Sequence, residues 1–224
     1  MFTIALLPGD GIGPEIISEA EKILNAVEHI FNIKFQFVEG LVGGASIDAH
    51  GVPLTEEVLQ LCKNSDAILF GAVGGPKWDH LPKEKRPEQA ILKLRKDLNL
   101  YANLRPVVLF KALADASPIK QEFLGDDLDI MIVRELTGGL YFGKKGKEEG
   151  QNHVTAFDTM EYTDDQIRRV ARLAFNIARN RKGHLTLVDK SNVLETSRLW
   201  RAIVSEMAAD YPHVKLNYMY VDNC

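Results

Sequence analysis

The sequence has few of the features that mark secreted, disulfide-bonded or membrane proteins. Its two cysteines, Cys62 and Cys224, are too few for a disulfide framework and lack the spacing of a metal site. No apolar run approaches the roughly 18 residues needed to cross a bilayer. The first residues lack the basic segment of a signal peptide. We therefore expect a cytoplasmic protein that has no membrane partner.

The sequence also lacks a surplus of basic residues. Its formal net charge is −4, which gives no electrostatic reason to expect nucleic acid or an anionic membrane surface as a partner. A length of 224 residues, of which 46% are hydrophobic, suffices for one large domain or two smaller ones with a substantial core.

Strand-like and helix-like segments alternate in the first half. The strand-like runs are "TIALLPG", "IKFQFVEG", "DAILFGAVGG" and "YANLRPVVLF". Between them lie a helix that starts near Pro14, the helical run "TEEVLQLCK" and a helix that contains Arg95. This order predicts an α/β fold with a mostly parallel sheet.

The pattern changes in the second half. After the strand "LDIMIVREL", residues 138–158 have the character of an exposed hairpin, which we expect to pair with another subunit. Thr163 and Gln166 form a predicted capping box, and strand, helix and strand follow. We place a boundary near residues 99–101, giving domains at 1–100 and 101–224. Because the chain ends on a strand-like segment, we expect a protein truncated at its C-terminus.

The motif "GDGIGPE" lies between the first strand and the first helix. Glycines there let the backbone approach a phosphate, which suggests a dinucleotide site. However, the sixth position of the dinucleotide fingerprint is Pro14 instead of glycine. A tight structural turn is therefore the favoured interpretation of this motif alone, which is not an ordinary dinucleotide fingerprint.

Three arginines lie near strand or helix ends: Arg95, Arg105 and Arg134. Each guanidinium can hold one carboxylate through two hydrogen bonds, so three that converge suit a di- or tricarboxylic acid. Tyr141 follows across the "TGG" turn, where its phenol could donate a proton. Solvated arginines and an ordinary hairpin tyrosine are the alternatives.

Lys190 and Asp222 each follow a strand. Lys190 lies just ahead of a predicted helix start, where a cation needs an anionic partner or has a depressed pKa that suits a general base. The alternative is a surface lysine that neighbours Asp189. Asp222 is a carboxylate at a strand end, where α/β folds bind ligands, but one carboxylate does not make a Mg²⁺ site.

Six blocks together resemble one family: "LLPGDGIGPEI", "GAVGGPKWD", "LRKDLNLYANLRP", "VRELTGGLYFG", "VDKSNVLETSRLWR" and "YVDNC". They resemble the decarboxylating β-hydroxyacid dehydrogenases, the isocitrate/isopropylmalate dehydrogenase family, and occur in the family's order. Within the family, the branch that acts on 3-isopropylmalate matches best. The resemblance implies a two-domain α/β sandwich and NAD-dependent oxidative decarboxylation in leucine biosynthesis.

The resemblance also implies roles for individual residues. Arg95, Arg105 and Arg134 would hold the malate carboxylates, while Glu88, Ile91 and Leu92 would line a pocket for the substrate's γ-substituent. Tyr141 and Lys190 would be catalytic, as proton donor and base. Ile12, Gly74, Gly75 and Asn192 would contact NAD, and Asp222 would bind Mg²⁺ or Mn²⁺. Lys190 and Asp222 would serve the active site of the partner in a homodimer.

Family members are longer than this sequence. The resemblance therefore implies that two further metal-binding aspartates and the loop for the adenosine half of NAD follow after Asp222. We expect the 224-residue chain alone to be poorly soluble and inactive. The alternatives are a tartrate/malate or homoisocitrate decarboxylating dehydrogenase, or a non-catalytic fragment that dimerises.

Overall fold

The protein consists of two compact units, Met1–Asn99 and Leu100–Cys224. A computed structural model describes residues 1–124 and 128–224. Each unit has its own sheets and its own buried core. Among the residues described, no helix is long and apolar enough to cross a membrane.

The first unit is built on a parallel three-stranded sheet in the order β2-β1-β3. Its elements are β1 (Phe2–Gly9), α1 (Gly13–Phe31), β2 (Phe35–Glu39), α2 (Gly44–His50), α3 (Glu56–Asn64), β3 (Ala67–Ala72) and α4 (Glu88–Asp97). The predicted strands and helices are confirmed here, including Pro14 in the first turn of α1. The short helix α2 was not predicted.

β1 is the central strand of this sheet because it pairs with β2 on one edge and β3 on the other. Both of its faces are covered by apolar side chains. Ala5 and Leu7 are fully buried in a cluster with Leu59 and Leu94. Ile4 and Leu6, on the opposite face, pack with Ile17 of α1 and others. A strand buried on both faces reads as a continuous apolar run, which explains the sequence "TIALL".

In the second unit, the described residues form three two-stranded sheets. Its elements are β4 (Ala102–Val108), α5 (Gln121–Leu124), β5 (Asp129–Glu135), β6 (Lys145–Glu149), β7 (Val154–Asp158), α6 (Asp164–Arg179), β8 (His184–Asp189), α7 (Glu195–Met207) and β9 (Lys215–Tyr220). β8 and β9 are parallel, whereas β6 and β7 form the predicted hairpin.

The pairing of β4 corrects one prediction. The alternation of the first half predicts that "YANLRPVVLF" forms a parallel strand, but β4 of the second unit is not a parallel strand. It pairs antiparallel with β5, from Ala102 opposite Glu135 to Val108 opposite Asp129. The strand itself is predictable from its apolar residues, but its partner depends on a contact that is distant in sequence.

Helices α6 and α7 form the core of the second unit together with β8 and β9. Ile167 and Phe175 of α6 are fully buried, and the ring of Phe175 stacks on Tyr211 at 4.6 Å. The capping box predicted at the start of α6 is confirmed, since Thr163 and Gln166 bond each other's backbone amide.

Candidate functional site

A buried carboxylate fixes the carboxyl end of the first sheet. Asp10 follows β1, and its two oxygens accept hydrogen bonds from the backbone amides of Gly44, Ala45 and Gly74, each at 2.8 Å. The Asp10 side chain thereby joins the loop after β1 to the start of α2 and to the segment after β3. Local sequence patterns do not predict this role, because the three donors are distant in sequence from Asp10.

The residues predicted to contact a cofactor lie around this carboxylate or after β8. Ile12 is exposed in the turn between β1 and α1, and Gly74 and Gly75 follow β3. Gly74 has a φ of 106°, and a Cβ atom there would lie 2.8 Å from the Glu88 carboxylate. The positive φ favours a glycine here, whereas the flexible Glu88 side chain could move aside. Asn192 lies in the second unit and is exposed.

The helix α4 brings the predicted pocket residues together on one stripe. Glu88, Ile91, Leu92 and Arg95 are spaced at i, i+3, i+4 and i+7, which places them side by side along a helix. Core contacts are made by a different stripe, on which Ala90 and Leu94 are buried. Ile91 and Leu92 are half-buried, so an apolar patch lies one turn before a guanidinium.

The other two arginines lie on one face of the β4–β5 sheet. In the antiparallel register Asn103 faces Arg134 and Arg105 faces Ile132. Side chains two residues apart share a face, so Arg105 and Arg134 are diagonal neighbours. Nε of Arg105 donates to Oδ1 of Asn103 at 2.5 Å. The guanidinium of Arg134 lies 5.5 Å from the centre of the Tyr141 ring.

The turn that carries Tyr141 is held by a second buried carboxylate, Glu135. Glu135 accepts hydrogen bonds from the backbone amides of Thr137, at 2.8 Å, and Gly138, also at 2.8 Å. Arg169 of α6 approaches the same carboxylate at 3.7 Å. Burial, together with the charge of Glu135, raises the pKa of the neighbouring Tyr162. Tyr141 itself is exposed.

Lys190 and Asp222 meet at the carboxyl end of the β8–β9 sheet, where the Lys190 ammonium bonds the Asp222 carboxylate. This hydrogen bond holds the pKa of Asp222 below its ordinary value. The prediction that Lys190 lies just ahead of a helix is wrong, because α7 begins only at Glu195. The Lys190 carbonyl instead accepts two amide hydrogen bonds within a turn. Of the two explanations for a lysine here, the structure supports the anionic partner.

Asp189, the alternative neighbour of Lys190, bonds a different residue. Its carboxylate accepts hydrogen bonds from Nε and Nη2 of Arg201 at 2.8 and 2.9 Å, and from the Ser191 amide at 3.0 Å. Burial alone would raise the pKa of Asp189, but the bonds from Arg201 and Ser191 lower it. Sequence reasoning missed Arg201, since nothing local links it to a residue twelve positions earlier.

Asp222 is the one residue that the sequence analysis predicts to bind a divalent metal ion. Within the ranges 1–124 and 128–224, no group of three or more His, Cys, Asp and Glu side chains is placed to hold a metal ion. Asp222 is exposed and offers oxygen ligands that Mg²⁺ and Mn²⁺ favour, but those ions need several. The described side chains therefore do not complete a metal site.

The chain is similar in sequence to a known enzyme family and to named proteins within it. A family model described as isocitrate/isopropylmalate dehydrogenase matches residues 3–224. A protein named 3-isopropylmalate dehydrogenase from Moorella thermoacetica is 58% identical over 225 residues, covering 100% of this chain and 63% of that protein. The protein of that name from Bacillus subtilis is 55% identical, covering 98% and 60%. The chain thus spans about three fifths of the length of these relatives.

Solved structures share the fold. The crystal structure of isocitrate dehydrogenase from Methylococcus capsulatus superposes with a TM-score of 0.85 at 30% identity, covering 100% of this chain and 62% of that one. A β-decarboxylating dehydrogenase from Thermococcus kodakarensis gives a TM-score of 0.72 at 32% identity, covering 99% and 58%. The predicted α/β fold class is confirmed.

Proposed function

The chain belongs to the isocitrate/isopropylmalate dehydrogenase family, and from this membership we propose that it serves the NAD-dependent oxidative decarboxylation of 3-isopropylmalate in leucine biosynthesis. One observation carries the choice of substrate, namely the half-buried apolar patch of Ile91 and Leu92 one helical turn before Arg95. A guanidinium beside an apolar patch suits a molecule with a carboxylate next to an isopropyl group.

The three arginines would bind the substrate's carboxylates. Arg95 would act beside the apolar patch of α4, while Arg105 and Arg134 share one face of their sheet. The hydrogen bond from Arg105 to Asn103 engages Nε, which leaves the Nη groups to face a carboxylate. Glu88, next to Gly74, would close the end of the pocket.

Two residues would move protons during the reaction. Lys190, in its neutral amine form, would take the proton of the substrate hydroxyl at its Nζ atom while a hydride leaves the same carbon. After CO₂ has left, Tyr141 would help deliver a proton to the carbon that carried it. The cation–π contact with Arg134 holds the Tyr141 ring beside a carboxylate-binding arginine, which supports this role.

NAD would supply the acceptor for this hydride, and four residues of this chain would hold it. Ile12, Gly74 and Gly75 are at the carboxyl end of β1 and β3, where α/β folds bind ligands, and Asn192 follows Lys190 by two residues. Asp222 would contribute one carboxylate to Mg²⁺ or Mn²⁺. Residues 1–100 would form the cofactor-side domain and residues 101–224 the domain for substrate and dimerisation, in a cytoplasmic enzyme.

We further propose that the protein acts as a homodimer in which Lys190 and Asp222 serve the partner's site. The β6–β7 hairpin supports this proposal. All ten of its strand residues are exposed, including the apolar side chains of Val154 and Phe157. An isolated two-stranded hairpin is marginally stable in water, so packing against a second subunit would stabilise it.

A spectrophotometric assay tests the proposed activity. We expect the full-length protein encoded by this gene to reduce NAD when 3-isopropylmalate and Mg²⁺ are present, and the 224-residue chain alone to be inactive. Tartrate, malate and homoisocitrate are the competing substrates. A higher kcat/KM for any of them would replace the proposal, whereas dicarboxylate binding without turnover would favour a non-catalytic fragment.

The apolar patch on α4 predicts substrate preference. Leu92→Ser in the full-length protein should lower kcat/KM for 3-isopropylmalate by about 10–200-fold, and that for malate much less, because malate lacks the isopropyl methyls. Leu41→Ser, the same change at an exposed leucine of the same unit, is the control and should alter neither value. Equal losses for both substrates in Leu92→Ser would show that Leu92 serves packing.

A further inference from the structure

The Asp189–Arg201 pair lies directly beside the Lys190–Asp222 pair. Asp189 ends β8, and its side chain is only 3% exposed. Arg201 lies on α7 and approaches it with two parallel hydrogen bonds, at 2.8 and 2.9 Å. A planar two-bond contact fixes direction as well as distance, so the end of β8 is held at a defined position against α7.

The amide and carbonyl groups of Lys190 and the amide of Ser191 all form hydrogen bonds. The Asp189 carboxylate accepts the Ser191 amide at 3.0 Å, which closes a turn around Lys190. The Lys190 amide donates to the Ser197 hydroxyl at 3.2 Å, and its carbonyl accepts the amides of Val193 and Leu194 at 3.0 and 2.9 Å. The backbone conformation at Lys190 therefore depends on the hydrogen bond between the Asp189 side chain and the Ser191 amide.

Arg201 also contacts the strand that leads to Asp222. Its guanidinium lies 4.9 Å from the ring centre of Tyr218 and 5.2 Å from that of Tyr220, both on β9. Asp222 follows Tyr220 by two residues in the short 3₁₀ turn Val221–Asn223. One guanidinium thus touches both of the strand ends on which Lys190 and Asp222 lie.

We infer that Asp189 and Arg201 are positioning residues, which set the strand ends of β8 and β9 so that Lys190 and Asp222 meet. The pair contacts no reacting atom. An effect of the pair on catalysis rests on the proposed function, in which Lys190 is the base. The effect of the pair on the positions of the strand ends does not depend on that function. The neighbouring ion pair between Arg168 and Glu206 links α6 to α7 on the surface and offers a matched comparison.

Carbodiimide cross-linking measures the inferred geometry directly on the full-length protein. The reagent joins an ammonium to a carboxylate that it touches, and mass spectrometry identifies the branched peptide containing Lys190 and Asp222. The pair Lys77–Asp48, with its atoms 2.5 Å apart in the first unit, is an internal standard in every sample. Fluorescence of Trp200, which packs edge-on against Tyr162, reports whether the second unit is folded.

Arg201→Met and Asp189→Asn should each lower the Lys190–Asp222 cross-link by about tenfold relative to the standard, because each removes one partner of a buried pair. Arg201→Lys should keep part of the yield, since lysine retains the charge but not the planar fork. Arg168→Met, the same change at the surface pair, should leave the yield unchanged. Yields within about twofold of the original protein in folded Arg201 and Asp189 variants would overturn the inference.

If Arg201→Met does not fold, Arg201→Lys decides, and an undiminished yield in that variant counts against the inference. In the full-length protein, Arg201→Met should lower kcat by about 10²-fold with little change in KM, because a misplaced base slows chemistry more than binding. A rise in KM with an unchanged kcat would contradict positioning. If the original full-length protein does not turn over 3-isopropylmalate, the proposed function fails and the cross-linking result still stands.

Discussion

Lys190→Met should lower kcat of the full-length protein by about 10²–10⁴-fold, the usual contribution of a positioned general base. Methionine keeps an unbranched apolar side chain but has no group that takes a proton. KM should change much less, because the substrate's carboxylates would be held by arginines on α4, β4 and β5. Steady-state kinetics with 3-isopropylmalate measures both quantities.

The matched control is Lys215→Met. Lys215 is exposed at the opposite, amino end of β9, so the same chemical change there should leave kcat unaltered. A kcat for Lys190→Met within about threefold of the original would remove Lys190 as the base. In the metal-free full-length protein the same substitution should raise the pKa of Asp222, because the Lys190 hydrogen bond is the main cause of its lowering.

Local sequence patterns predicted most of the secondary structure because they act over a few residues. The apolar run of β1, the first-turn proline of α1 and the capping box of α6 each fix one element without help from distant residues. The partner of β4 was predicted wrongly because strand pairing depends on a segment more than twenty residues away. The helix α2 was missed because "GASIDAH" is short and begins with a glycine.

The candidate site also contains residues that local spacing predicts and residues whose contacts depend on distant parts of the sequence. Helical spacing is enough to place Glu88, Ile91, Leu92 and Arg95 on one stripe. The contact of Lys190 with Asp222 needs the parallel register of β8 and β9, which the sequence does not state. Asp10 and Arg201 were missed for a related reason, since each acts through partners that only the fold brings near.

Asp10→Ala should lower the free energy of unfolding of the first unit by about 3–5 kcal/mol. A hydrogen bond to a charged group contributes about 1.5–3 kcal/mol, and the substitution leaves the amides of Gly44, Ala45 and Gly74 without their acceptor. Some of these amides can reach water, so the three contributions will not add fully. Asp10→Asn keeps one acceptor oxygen and should lose about half as much.

Urea unfolding followed by Trp78 fluorescence measures this loss. The ring of Trp78 lies against Gly44, next to the amides that Asp10 holds, and Trp200→Phe removes the signal of the other unit. Asp66→Ala is the control, because the exposed Asp66 carboxylate accepts one backbone amide, that of Thr3, and should contribute less than about 1 kcal/mol. A loss of 3–5 kcal/mol corresponds to a midpoint lowered by about 2 M urea. If Asp10→Ala and Asp66→Ala shift the midpoint equally, Asp10 does not hold the carboxyl end of the sheet together.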